Sequence, residues 1–143
     1  MKVYLDNCCF NRPFDAQSDI VVNLETKSKL VIQGLIKNGH LELAWSEVLD
    51  FENNDNPFEE RKIKISEWKY LSVENIEMND LIFENARKLL GLGLRQKDAS
   101  HIACAISCKA DYFITTDKKI LNKKVNGIEI INPIDFIRRF YAN

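Results

Sequence analysis

The chain has 143 residues, of which 45% are hydrophobic and 29% are charged. This length and composition predict one globular domain over residues 1–143. Twenty Lys and Arg residues stand against 21 Asp and Glu residues, so the formal net charge is −1, which excludes a polybasic nucleic-acid arm and an acidic disordered tail. Any binding of nucleic acid must therefore depend on local patches of positive charge.

The N-terminal segment does not have the pattern of a signal peptide. It reaches Asp6 after a short apolar run, and the sequence contains no stretch of about 18 apolar residues. We therefore expect a soluble, cytoplasmic protein that does not contact the membrane.

Four cysteines, Cys8, Cys9, Cys104 and Cys108, lack the CxxC spacing of zinc sites. We expect all four to be reduced and mostly to fill space in the core, as free cysteines commonly do. The glycine-rich motifs that cradle dinucleotides and nucleotide phosphates are also missing from the sequence.

Short apolar runs alternate with segments of helical periodicity. The helices are predicted from a Ser18 cap to Asn38-Gly39, from a Ser46 cap to residue 54, over 58–68 and 79–90, from Asp98 to about residue 106, and from Pro133 to Phe140. The strands are predicted at 2–5, 41–44, 73–76, 112–115 and 128–131. This alternation predicts a three-layer α/β/α sandwich with a central, mainly parallel five-stranded sheet.

Two connecting segments and one helix face complete the predicted fold. Residues 11–18 are expected to form a loop, and residues 116–119 a turn. In the first long helix, Ile20, Leu24, Val31 and Leu35 recur at helical spacing, and we expect that apolar face to pack into the core.

Four acids adjoin the predicted strand ends. Asp6 ends the first strand, Glu52 lies in the helix after the second, Asp98 begins the helix before the fourth, and Asp117 follows the fourth. Ligands of open parallel sheets bind outside the carboxyl ends of the strands, so we expect these carboxylates to converge at one edge. Taken singly, each acid also has an ordinary interpretation as a helix cap, a loop cap or a solvated residue.

A cluster of four carboxylates is chemically demanding. Like charges that lie close together raise one another's pKa unless a cation neutralises them. Oxygen ligands without thiolate or imidazole favour a hard ion, Mg²⁺ or Mn²⁺, over zinc. Such an ion can activate water for attack on a phosphodiester.

Four segments resemble the PIN domain family. They are Leu5-Asp6-Asn7, Trp45-Ser46 followed by Glu52, residues 97–105 (KDASHIACA) and residues 110–117 (ADYFITTD). The resemblance covers nearly the whole chain, and its last two segments are the most specific. It implies a compact α/β/α nuclease with Mg²⁺ or Mn²⁺ as cofactor. Many PIN domains are toxins of VapBC toxin–antitoxin pairs that cut RNA, so the resemblance implies RNA as substrate, an antitoxin as partner and a homodimer as assembly.

The same resemblance implies that Asp6, Glu52, Asp98 and Asp117 are the catalytic and metal-binding quartet. Glu47 is the alternative to Glu52, which is preferred because of its spacing from Ser46. Lys119 stands where many relatives carry a further acid, and this departure bears on a second metal site.

Other residues are predicted to support the quartet. Asn7 would hold a water or a phosphate, and Thr115 and Thr116 would orient Asp117 or the attacking water. RNA binding needs cations near the site, so the predicted phosphate contacts are Arg12, Lys118 and Lys119. His101 shares a helix face with Asp98 and is expected to hydrogen-bond a carboxylate rather than to act directly.

The leading hypothesis is a metal-dependent endoribonuclease that leaves 5′-phosphate and 3′-hydroxyl ends. A second hypothesis is a PIN-like scaffold that binds RNA or protein without turnover. A third, a phosphatase of the haloacid dehalogenase type with Asp6 as nucleophile, requires an Asp two residues later, where Cys8 stands.

Overall fold

In the computed structural model, which describes residues 1–142, one five-stranded sheet forms the centre of the molecule. All its neighbouring strands pair in parallel, in the order β3-β2-β1-β4-β5. The α/β prediction with a mainly parallel five-stranded sheet is therefore confirmed. The strands are β1 (Lys2–Leu5), β2 (Glu42–Ser46), β3 (Glu74–Ile76), β4 (Tyr112–Ile114) and β5 (Glu129–Ile131).

Polar residues begin most of the helices. The side chains of Asp19, Ser46, Asn79, Asp117 and Asn132 each accept a backbone N–H of the first turn, which satisfies donors that a helix leaves unpaired. The helices are α1 (Asn7–Asn11), α2 (Ile20–Lys37), α3 (Glu47–Asn54), α4 (Glu59–Glu67), α5 (Asp80–Leu89), α6 (Gln96–Ser107), α7 (Lys118–Leu121) and α8 (Pro133–Phe140), with short 3₁₀ helices at Arg12–Phe14, Trp68–Leu71 and Leu90–Leu92.

The strand order positions the candidate site. The chain builds β1, β2 and β3 toward one edge and then crosses back, so that β4 pairs with the other side of β1. Tyr4 lies opposite Phe113 across that pair. Crevices at such a reversal, outside the carboxyl ends of the strands, are the usual ligand sites of open α/β sheets. Asp6 follows β1 and Asp117 follows β4, so both acids lie at this crevice.

The core is built from the strands and the inward faces of the surrounding helices. The strands are nearly continuous apolar runs, as expected where both faces of a sheet are covered. Trp45 and Phe113 are fully buried, and Phe10 packs edge-on against Trp45. Among the described residues, no helix combines the length and the apolar character that crossing a bilayer requires.

The expectation for the inner face of α2 was wrong for three of its four residues, and only Leu35 packs against the core. Ile20 is 74% exposed, and Leu24 and Val31 are also exposed. The face that turns inward contains Glu25, Thr26, Lys29, Ile32, Gln33 and Ile36. Tertiary contacts stabilise this choice, because Arg12 pairs with Glu25 at 2.9 Å and the backbone carbonyl of Arg12 accepts the Thr26 hydroxyl at 3.1 Å.

Several predicted boundaries also shift. Helix α2 is capped by Asp19 and not by Ser18. The expected loop over 11–18 contains a 3₁₀ helix, and the predicted turn at 116–119 leads into α7. Helix α6 begins at Gln96, so Asp98 lies in its first turn and does not cap it. At the end of α2, Gly39 adopts the left-handed conformation (φ +77°) that ends helices.

Candidate active site

A cavity of about 340 Å³ opens at the carboxyl edge of β1 and β4. All four predicted acids line it, although they are spread over more than a hundred positions of the chain. Glu47 does not line the cavity, because its carboxylate accepts the backbone N–H of Met78 instead. The lining residues are Asp6, Asn7, Cys8, Asn11, Asp15, Glu52, Arg95, Asp98 and Asp117.

Asp6 is the most buried acid of the quartet, with 5% of its surface exposed. Its Oδ2 accepts the Thr115 hydroxyl at 2.8 Å and the Cys8 thiol at 3.4 Å, and its Oδ1 accepts the backbone N–H of Asn7 at 2.8 Å. Burial raises the pKa of Asp6, and the hydrogen bond from Thr115 partly opposes that rise. The carboxylate is therefore held in one orientation but lacks a neutralising cation in direct contact among the described residues.

Asp98 and Asp117 share one arginine. Arg95 Nε lies 3.7 Å from Asp98 Oδ2, and Arg95 Nη2 lies 3.8 Å from Asp117 Oδ2. Burial, followed by the charge of Asp6, raises the pKa of Asp98. Because Arg95 is 74% exposed, its long ion pairs neutralise these acids only weakly.

Glu52 is oriented by His101. His101 Nε2 lies 2.9 Å from Glu52 Oε1, and Lys97 Nζ lies 3.8 Å from Glu52 Oε2. Burial alone would raise the pKa of Glu52, but the hydrogen bond from His101 and the nearby Lys97 and Arg95 lower it overall. The expectation that His101 hydrogen-bonds a carboxylate is confirmed.

The residues predicted to support the quartet have different surroundings. Asn7 lines the cavity beside Asp6. Thr115 is fully buried, and its hydroxyl donates to Asp6 and accepts the backbone N–H of Asp117 at 3.1 Å. Thr115 therefore orients Asp6 through its side chain and Asp117 only through the backbone. Thr116 is also buried, and its backbone N–H donates to Cys8 Sγ at 3.4 Å.

The three predicted phosphate contacts differ in availability. Arg12 is engaged by Asp15 at 3.0 Å and by Glu25 at 2.9 Å. Lys118 and Lys119 are exposed in the first turn of α7, next to Asp117, and neither pairs with an acid in the described part of the chain. All three remain predictions as substrate contacts.

Sequence reasoning missed Cys8, Asn11 and Asp15 as cavity residues. Cys8 and Asn11 belong to α1, and Asp15 directly follows the 3₁₀ helix at Arg12–Phe14, so these segments place all three residues at the cavity of Asp6. Their one sequence signal is their position directly after the first strand. The four cysteines are free, and Cys9, Cys104 and Cys108 are buried.

The donors around the cavity fit a divalent cation. One ligand atom each from Asp6, Glu52 and His101 lie within 4.8 Å of one another. In addition, Asn7 Oδ1 is buried and has no hydrogen-bond partner among the described residues. Carboxylate and amide oxygens are the ligands that Mg²⁺ and Mn²⁺ prefer.

Comparison with known proteins identifies the fold. No protein-family model and no curated protein matches the sequence. Solved structures do match. A chain of VapBC2 from Rickettsia felis, bound to a DNA fragment from its promoter, superposes with a TM-score of 0.59 at 17% identity over 92% of this chain and 98% of that one. A chain of FitAcB from Neisseria gonorrhoeae gives 0.55 at 14% identity over 92% and 97%. The chain therefore shares the fold of the matched chains in these two structures.

Proposed function

We propose that this protein is an Mg²⁺- or Mn²⁺-dependent endoribonuclease. The observation that carries the proposal is the convergence of Asp6, Glu52, Asp98 and Asp117 on one cavity. Asp6 and Asp117 also cap α1 and α7, but capping does not require four acids to meet at one cavity. Burial there raises the pKa of Asp6 and Asp98 at a cost in stability. A divalent cation would offset that cost.

The chain's own residues would divide the work of hydrolysis. The bound ion supplies activation of water and neutralisation of the charge that develops on the phosphate. Asp6 and Glu52 enter the reaction already oriented, by Thr115 and by His101 respectively. Arg95 contacts Asp98 and Asp117 only at long range, so its guanidinium is free to turn toward a phosphate oxygen.

A polynucleotide substrate is favoured by a second cavity of about 290 Å³ next to the first. The two share Asn7, Asn11, Asp15 and Glu52, so they form one continuous groove. The far end of the groove carries Phe58, which is 54% exposed, with the Arg61 guanidinium 4.2 Å above its ring. Exposed aromatic rings are surfaces on which bases of single-stranded RNA stack.

An antitoxin partner is the second part of the proposal. The support is the fold, which this chain shares with toxin–antitoxin proteins. We expect growth arrest when the chain is expressed alone, and relief of that arrest when a small protein encoded next to it is co-expressed. Arrest that persists with an Asp98→Asn variant would mean that any toxicity is independent of the acid cluster.

Cleavage of a mixed RNA panel tests the enzymatic proposal. Single-stranded and hairpin RNAs are incubated with the purified protein and Mn²⁺, Mg²⁺ or EDTA, and the product ends are mapped. We expect cutting with either ion, none with EDTA, and products with 5′-phosphate and 3′-hydroxyl ends. Metal-independent cutting, or products with 2′,3′-cyclic phosphates, would contradict the proposed chemistry. RNA binding without turnover would instead favour the non-catalytic scaffold.

A further inference from the structure

Behind Glu52 lies a chain of hydrogen bonds that crosses four elements of the fold. The Leu49 N–H donates to Ser46 Oγ at 3.3 Å, and Ser46 Oγ lies 2.6 Å from Tyr4 Oη. Tyr4 Oη lies 2.6 Å from His101 Nδ1, and His101 Nε2 lies 2.9 Å from Glu52 Oε1. Ser46, Tyr4 and His101 are each fully buried, so bulk water does not supply their hydrogen-bond partners.

The carboxylate end of this chain fixes its direction. An ionised carboxylate can only accept, so a neutral His101 carries its proton on Nε2 and donates it to Glu52, which leaves Nδ1 as an acceptor. Tyr4 therefore donates its hydroxyl proton to His101 Nδ1. Because Tyr4 has no second proton to give, Ser46 donates to Tyr4 Oη, while Ser46 Oγ accepts the Leu49 N–H.

We propose that Ser46, Tyr4 and His101 form a relay that makes His101 a positioning residue for Glu52 and keeps it from serving as a metal ligand. Both ring nitrogens are already used, one by Tyr4 and one by the proton donated to Glu52. The cation site is thereby left with oxygen donors alone, a set that favours Mg²⁺ or Mn²⁺ over zinc. This inference rests on the proposed function.

The relay also assigns different tasks to the two oxygens of Glu52. Oε1 is occupied by His101, whereas Oε2 meets only Lys97 at 3.8 Å among the described residues. Because one oxygen is fixed, the orientation of the other is fixed as well. Partners of this kind, which orient a metal-binding residue from behind, typically change metal affinity by 10–100-fold when they are removed.

Nitrogen-15 NMR of the ring of His101 tests the direction of the relay in the full-length protein. We expect a protonated Nε2 and an unprotonated Nδ1, unchanged when Mg²⁺ is added. A proton on Nδ1, or loss of the Nε2 proton on addition of Mg²⁺, would overturn the relay. This readout does not depend on activity.

Metal affinity of variants tests the positioning role. Binding of Mn²⁺ is measured by calorimetry for wild type, His101→Leu, His101→Gln and Tyr4→Phe. We expect about tenfold or greater weakening for His101→Leu, partial rescue in His101→Gln because an amide can still donate to Glu52, and a several-fold loss for Tyr4→Phe. Tyr112→Phe, on the neighbouring strand, is the matched control and should bind as wild type does.

The outcomes separate the relay from the proposed function. If wild type binds Mn²⁺ and cuts RNA but His101→Leu binds the ion equally well, the relay is wrong and the nuclease stands. If wild type neither binds these ions nor cuts RNA, both fail together. A lowered melting temperature with unchanged Mn²⁺ affinity in the folded variants would reduce His101 to a packing residue and overturn the proposal.

Discussion

His101 Nε2 lies 2.9 Å from Glu52 Oε1, although the two residues are 49 positions apart in the chain. This contact joins α6 to α3 and helps to lower the pKa of Glu52 in spite of its burial. Asp6 has the opposite balance, because burial raises its pKa. The acids of the cavity are therefore chemically unequal, and together they carry an excess of negative charge.

Removal of one acid should stabilise the metal-free protein. The raised pKa of Asp98 means that its ionised form is disfavoured in the folded state, so at pH 7 its charge lowers the free energy of unfolding. We expect Asp98→Asn to raise the melting temperature in EDTA by about 2–4 °C, which corresponds to about 1 kcal/mol for a chain of this size.

The same variant has a defined pH signature. Below the ordinary aspartate pKa, near 3.8, the carboxyl is protonated in both the folded and the unfolded state, so the gain should disappear there. Asp80→Asn, an exposed acid in the first turn of α5, is the matched control. An unchanged or lower melting temperature for Asp98→Asn at pH 7 would contradict the conclusion that the charge of Asp98 destabilises the folded protein.

Lys29 gives a second pH dependence, away from the site. Its ammonium is buried against the rings of Phe10 at 5.1 Å and Trp68 at 5.6 Å. Burial lowers the pKa of Lys29 from 10.5 to about 7, and the charge of Lys37 acts in the same direction. Between these two values the unfolded chain binds more protons than the folded one, so the free energy of unfolding should rise as the pH is raised from 7 toward 10.

Lys29→Met should abolish that rise and stabilise the protein below pH 7 by on the order of 2 kcal/mol. Urea unfolding from pH 6 to pH 10 measures both effects. Lys27→Met, on the exposed face of the same helix, controls for the change in surface charge. A wild-type stability that is flat or falls over this range would mean that Lys29 keeps its charge when folded.

Lys118 and Lys119 should contribute to RNA affinity. Both are exposed next to Asp117 and have no acidic partner among the described residues. We expect the double alanine variant to bind a single-stranded RNA more weakly and to lower the slope of log K against log salt by about 0.7 for each phosphate that is no longer neutralised. Affinity is measured by fluorescence anisotropy with Ca²⁺ in place of Mg²⁺ to limit turnover.

The control for this pair is a double alanine variant at Lys27 and Lys88, which are exposed on α2 and α5. Equal salt slopes in the two double variants would show that Lys118 and Lys119 do not neutralise RNA phosphates. Arg12→Gln is a weaker test of phosphate contacts. Arg12 pairs with Asp15 and Glu25, so we expect the substitution to lower the stability of the fold before it lowers RNA affinity.

Both the parallel sheet and the convergence of the four acids at one edge can be predicted from the sequence, because both depend on the buried strands. Strands buried on both faces are short apolar runs, and parallel strands bring their carboxyl ends to the same edge. Asp6 directly follows β1, and Asp117 follows β4 after two threonines, so their proximity depends only on β1 and β4 being neighbours. Asp98 and Glu52 join them because their helices start or end at that edge.

The orientation of α2 could not be predicted in this way. Periodicity favours burial of Ile20 and Leu24, but ion pairing with Arg12 turns Glu25 inward instead. Contacts of this kind depend on residues distant in the chain. Tyr4 is a similar case, since its apolar neighbours mark it as a core residue and its hydroxyl gains a role only from Ser46 and His101.

The most direct test of the account is RNA cleavage by wild type, Asp98→Asn and the control Asp80→Asn, each with Mn²⁺, Mg²⁺ or EDTA. We expect metal-dependent cutting by wild type and by Asp80→Asn, and an activity at least about 100-fold lower in a folded Asp98→Asn protein. Undiminished cutting by Asp98→Asn would contradict the assignment of the acid cluster as the active site.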